Sequence, residues 1–180
     1  MATESAPSLR FLTLVATGVA FVASAGSLYL SAGMGLVACP LCFYQRSFAL
    51  ATFAALMTGL IVGLGRTSTL AGIALPLAAA GAAVAVFHVS LEARGKLECP
   101  LGVLGLGTAP QQSLAVLGLL TALLLIDLLS DRPTQGAVTG LLTLVLGIVL
   151  AASCIWTSSP PCPPDYSQPL KGCRPPKQQS

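Results

Sequence analysis

Five long stretches of this chain carry no charged side chain, and they bound what it can fold into. They run over residues 11–45, 47–65, 67–91, 99–126 and 133–164. A bilayer core of roughly 30 Å takes about 20 helical residues to cross, so each stretch is long enough to span one. The first is most apolar over 11–30. Pro110 and the Gln111-Gln112 pair place the fourth helix start near Ser113, and the fifth helix ends near Trp156. The reading is an all-α integral membrane protein with transmembrane helices at about 9–30, 43–65, 68–91, 113–130 and 136–156. These make one domain, 1–156, followed by a Pro-rich tail, 157–180.

Composition agrees. Of 180 residues, 54% are hydrophobic and only 8% charged, against about 25% charged in a soluble domain. The net charge of +3 is small and scattered, and no basic run or nucleic-acid motif is present. The bilayer is therefore the expected surrounding, and nucleic acid is not an expected partner. Ala23-Ser24-Ala25 resembles a signal-peptidase site after Arg10. The uncharged run continues past it to Cys39, which favours a retained first helix.

Five spans put the N-terminus, the Arg66 turn and the Asp131-Arg132 turn on one side. The loop at 39–42, the loop at 92–112 and the tail fall on the other. All six cysteines (Cys39, Cys42, Cys99, Cys154, Cys162, Cys173) lie on or near that second side, which marks it as the oxidising one. Lys and Arg point the other way, with three on the first side and six on the second. The cysteines take precedence, because the tail charges lie far from the last span and the first helix usually dominates. The N-terminus is expected inside, and a reporter fused to the C-terminus is expected to be exported.

The chemistry concentrates in Cys39-Pro40-Leu41-Cys42-Phe43-Tyr44-Gln45-Arg46. A Cys-x-x-Cys pair closes a small disulfide ring, and exchange needs a thiolate, so a depressed pKa matters. With the second helix starting near Cys42, its dipole and Arg46 at i+4 favour the Cys42 thiolate. Cys39, in the loop, is the sulfur open to another thiol. Arg46 just inside a span is also what an interfacial anchor beside Tyr44 looks like. Cys39, Cys42, Cys99 and a fourth cysteine would suit structural zinc. No second Cys-x-x-Cys exists and His88 lies within a span, so no metal is expected. Purely structural disulfides remain open for the downstream cysteines. Tyr29, Tyr44 and Trp156 fit interfacial belts, and Asp127 is read as interfacial at the inner end of helix four.

These residues resemble the DsbB family, the bacterial membrane oxidases that regenerate disulfide donors. The likeness rests on Cys-x-x-Cys followed by Tyr-x-Arg at the start of helix two, and extends over roughly residues 9–130 in helix order and loop placement. It implies a four-helix bundle of DsbB type, here with a fifth helix added, in the bacterial cytoplasmic (inner) membrane. It further implies a bound ubiquinone or menaquinone and a periplasmic thioredoxin-fold partner similar to DsbA. Cys42 would contact the quinone, Cys39 would be attacked by a second dithiol, and Arg46 and His88 would lie at the quinone. In the family the second redox pair sits wholly in the loop between helices three and four. Here that loop holds only Cys99.

The four downstream cysteines allow three connectivities. Loop-closure entropy favours Cys162–Cys173, leaving Cys99 with Cys154; the family likeness favours Cys99 with a tail cysteine. Cys99, Cys162 and Cys173 are the candidates for the shuttle dithiol. The tail, with seven prolines, is expected to be extended and mobile, yet long enough to reach back over the outer face. Two other readings compete. One is a non-enzymatic, disulfide-stapled membrane scaffold. The other is a quinone reductase like vitamin K epoxide reductase, whose Cys-x-x-Cys lies near the end of its helices rather than between the first two.

Overall fold

The computed structural model describes residues 7–62, 67–103, 105–131, 133–158 and 170–176. They form five α-helices: α1 (Pro7–Ala32), α2 (Pro40–Val62), α3 (Thr67–Ala93), α4 (Ala109–Asp131) and α5 (Pro133–Trp156). Each contains a segment of at least 22 residues long and apolar enough to cross a membrane. The protein is thus an all-helical membrane bundle of five helices.

Helices α2 and α4 begin three and four residues earlier than residue type alone suggested, and proline explains both. Pro40 is the first residue of α2, where a fixed φ suits the helix and the missing N–H removes nothing. Pro110 sits in the first turn of α4 for the same reason. This makes Cys39, not Cys42, the residue that flanks α2.

Helix α3 is the axis of the bundle. It packs against α2, α4 and α5, while α1 closes the ring against α2 and α4. Small side chains permit this. Ala71, Ala74, Ala78, Ala80 and Ala85 on α3 are fully buried, so neighbouring backbones approach closely, as small residues allow between membrane helices. On α5, a Cβ at Gly147 would meet Ala79 Cβ and Pro76 O at 2.8 Å, a contact only glycine accepts. Helix α5 covers one side of α3 and α4. It turns Leu141, Leu142, Val145, Ile148 and Val149 outward, the apolar face that lipid covers.

Asp127 departs from its expected interfacial place. It is 1% exposed between α4 and α1, and the Thr13 hydroxyl donates to its Oδ2 at 3.0 Å. The apolar helices carry no strong amphipathic signal, so which face packs inward is decided by the neighbours.

The chain's return is the other unexpected feature. Residues 170–176 are hydrogen-bonded between the two loops at the cysteine end. Val37 N–H donates to Lys171 O at 2.7 Å, and Glu98 and Arg174 exchange backbone hydrogen bonds at 2.8 and 3.0 Å as an antiparallel bridge. Gly172 lies so close to Val37 that a Cβ there would come within 2.8 Å of its carbonyl oxygen. This part of the tail is packed, against the expectation of mobility, because the two loops supply backbone partners a free chain would find only in water.

Candidate functional site

Cys39 caps α2. Its Sγ accepts the backbone N–H of Cys42, the third residue of the helix, at 3.3 Å, and lies 3.0 Å from the Cys42 Sγ. An anionic sulfur there faces the positive end of the helix. The hydrogen bond it shares with the Cys42 thiol holds the Cys39 thiol well below the ordinary thiol range; burial opposes this and His88 adds to it. The electrostatic preference therefore falls on Cys39 rather than on Cys42, the consequence of a helix that starts at Pro40.

His88 comes from the C-terminal part of α3 and is 0% exposed. Its Nε2 lies 3.9 Å from Cys39 Sγ and 3.5 Å from Cys99 Sγ. Its Nδ1 is 3.1 Å from the side-chain nitrogen of Gln45, itself only 4% exposed. An amide donating to Nδ1 leaves the ring proton on Nε2, aimed at the two sulfurs. Gln45 was not singled out from sequence, although a polar residue one turn inside a span is costly unless partnered.

Cys99 reaches His88 because α3 ends abruptly. Gly95 takes a left-handed conformation (φ 65°), with Gly95 N–H bonded to Glu92 O and Lys96 N–H to Leu91 O, both at 2.9 Å. This paired arrangement satisfies the last carbonyls and reverses the chain. The Thr108 hydroxyl donates to the Glu92 carboxylate at 2.8 Å and holds the loop's far end against α3.

Cys99 is disulfide-bonded to Cys173. Cys39, Cys42 and Cys154 are free thiols, and Cys162 lies outside the described residues. The pairing overturns the loop-entropy expectation of Cys162 with Cys173. The short loop loses because the bridge between Glu98 and Arg174 already fixes their neighbours Cys99 and Cys173 side by side. The ligand atoms of Cys39, Cys42, His88 and Cys173 all lie within 4.8 Å of one another. A dithiol therefore faces a disulfide across a buried imidazole.

Arg46, one turn beyond Cys42, reaches toward α1. Its Nε donates to Ser27 Oγ at 2.9 Å, and its Nη2 to Ser27 O at 2.9 Å and Ser31 Oγ at 2.6 Å. The guanidinium thus ties α2 to α1, while its Nη1 carries none of these bonds.

The fold and this site define a polytopic helical membrane protein that sets a cysteine pair against a second pair supplied by a distant loop and the tail. The chain belongs to the DsbB family: the family model for disulfide bond formation protein DsbB matches residues 9–115. It is also similar to two curated proteins from Bacillus cereus strains. One, a probable disulfide formation protein C, is 32% identical over 88 residues, covering 46% of this chain and 58% of that protein. The other, a probable disulfide formation protein C 1, is 31% identical with the same coverage. The match thus spans under two thirds of these relatives' length, and Cys173 lies beyond the family match. No solved structure matches the chain.

Proposed function

We propose that this chain is a membrane thiol oxidase. It takes electrons from a thioredoxin-fold dithiol partner similar to DsbA and delivers them to a membrane quinone, ubiquinone or menaquinone, sustaining protein disulfide formation. The observation that carries the reading is the meeting of Cys39, Cys42, Cys173 and His88 within 4.8 Å. Disulfides exchange only when a thiolate approaches a disulfide sulfur directly, and this arrangement supplies that approach.

In this reading the partner's thiolate attacks Cys173, which is less buried than Cys99. The Cys99–Cys173 bond breaks, the partner leaves as its disulfide, and two electrons and two protons stay on Cys99 and Cys173. With Cys39 and Cys42 in their disulfide form, a downstream thiolate attacks Cys39 and Cys42 leaves. The second downstream sulfur then attacks the mixed disulfide and releases Cys39. His88 Nε2, between Cys99 and Cys39, carries the proton that each thiol loses or gains. Gln45 fixes the ring for that transfer.

The residues fit a quinone. Its carbonyls need a donor and its ring needs apolar surroundings. Arg46 offers Nη1 one turn from Cys42, and the exposed Val37 and Phe43 flank the pair. Arg46 and His88 are the residues that would hold it. The quinone supplies a two-electron, two-proton acceptor. The chain's own part is to present Cys42 at the lipid boundary and to keep Arg46 oriented through Ser27 and Ser31. The expected setting is a bacterial inner membrane, with the N-terminus cytoplasmic and the cysteine end outside.

The test uses purified protein, a reduced partner and a soluble quinone, with quinone reduction as the readout. Cys42→Ser is expected to abolish turnover, and full activity in that variant would remove the mechanism. Arg46→Lys is expected to raise the quinone KM, because a point charge replaces a planar fork. Wild-type kinetics would take Arg46 out of the quinone site.

A further inference from the structure

The four groups that meet at the cysteine end also have the composition of a tetrahedral soft-metal site. We propose that reduction of the Cys99–Cys173 disulfide converts this centre into a Zn²⁺ site, with Cys39 Sγ, Cys42 Sγ, Cys173 Sγ and His88 Nε2 as ligands. Zinc bound by three thiolates and one imidazole has Zn–S near 2.3 Å and Zn–N near 2.0 Å, which makes tetrahedral edges of roughly 3.5–3.8 Å. The four atoms already lie within 4.8 Å of one another, with Cys39 at 3.0 Å from Cys42 and 3.9 Å from His88. Closing the widest of these spacings onto an ion asks for a change of about 1 Å.

The redox state acts as the gate. In the oxidised centre Cys173 spends its bonding on Cys99, leaving two thiols and one imidazole. Reduction adds two electrons and two protons and breaks that bond, freeing Cys173. Zinc then displaces one proton from each thiol that binds as thiolate. Cys99, 3.5 Å from His88 Nε2, stays beside the site as a spare sulfur.

Gln45 suits both states. When His88 gives Nε2 to a metal, the ring proton sits on Nδ1. A half-turn of the Gln45 amide then brings its carbonyl to accept that proton. A group bonded to the far nitrogen of a ligating histidine fixes its orientation and basicity. The sequence hid this site because its ligands come from one Cys-x-x-Cys, one helix interior and the tail, with no metal-finger spacing. The inference requires only reduction of the disulfide and does not depend on a quinone as acceptor.

The experiment uses the full chain in detergent, without oxygen. It is reduced by a water-soluble phosphine, which becomes the phosphine oxide with oxygen from water, and the excess is then removed. Co²⁺ is the spectroscopic probe and Zn²⁺ the competitor. Reduced protein is expected to bind a single Co²⁺ with the strong visible bands of a tetrahedral ion and near-ultraviolet thiolate-to-cobalt charge transfer. Equimolar Zn²⁺ should bleach both. Oxidised protein should bind at least about a hundredfold more weakly. Cys39→Ser and His88→Ala should lose the spectrum, whereas Cys154→Ser should keep it. Gln45→Leu should weaken binding roughly tenfold or more. If His88→Ala does not fold, the near-isosteric Cys42→Ser carries the same test. Equal cobalt binding by oxidised and reduced protein, or an unchanged spectrum in Cys39→Ser, would overturn the proposal.

Discussion

Two fully buried ionisable side chains sit at opposite ends of this bundle. His88, 0% exposed, lies among sulfurs and the Gln45 amide at the cysteine end; Asp127, 1% exposed, accepts the Thr13 hydroxyl at the other. Either, seen alone in a membrane helix, qualifies as a functional candidate. Their surroundings separate them. His88 faces thiol and disulfide sulfurs, groups able to exchange bonds and protons, whereas the Thr13 contact of Asp127 joins α1 to α4 and offers no redox chemistry. Burial of an ionisable group marks a constraint, and the chemistry facing it says whether the constraint is structural or reactive.

That contrast is open to experiment. The largest expected effect is at His88. His88→Ala should slow exchange between the two cysteine pairs roughly a hundredfold, the scale of a lost general acid–base, as followed by acid-quenched thiol trapping. Asp127→Ala should leave that rate unchanged and lower the stability of the detergent-solubilised bundle by about 1 kcal/mol, read from thermal unfolding. A reversed pattern would break the comparison.

A smaller effect is expected from Gly172→Ala. Its Cβ would crowd Val37 O, so the tail should seat less often and the Cys99–Cys173 bond should form severalfold more slowly after a reductant pulse. Mass-shift alkylation reads this directly. Unchanged kinetics would show that the tail seats without that close approach.

The smallest effect concerns pH. The Cys39 thiol is held low by the shared hydrogen bond with Cys42 and by His88. Lowering the pH below the ordinary thiol range of about 8.5 protonates an unperturbed thiol, whereas Cys39 remains thiolate. Its alkylation should therefore persist at mildly acidic pH and disappear last. Quenching of Cys39 alkylation near neutral pH would show that its thiol is not held low.

Much of the fold was legible because lipid leaves few alternatives: uncharged runs of sufficient length become helices, and the described residues hold five. The burial of Asp127 was not legible, since helices apolar on every side do not announce which face packs. At the site, Cys39, Cys42, Arg46 and His88 stand out by residue type. The cap at Cys39 was within reach, because Pro40 suits the first position of a helix. The pairing of Cys99 with Cys173 was not. It depends on backbone hydrogen bonds from Val37 to Lys171 and between Glu98 and Arg174, which no cysteine spacing encodes. Gln45 was overlooked within the very segment that drew attention, because its role appears only once α3 stands beside α2.

The return of the tail also sets a timetable. Cys173 is the last cysteine of the sequence, and its seat lies between the first loop and the third. During synthesis Cys39, Cys42, His88 and Cys99 all emerge and insert before their final companion exists. The Cys99–Cys173 bond can thus close only after α5 and the tail have been made. A chain halted anywhere earlier holds the thiols but not the bridge, so the order of translation decides when the two cysteine pairs first face each other.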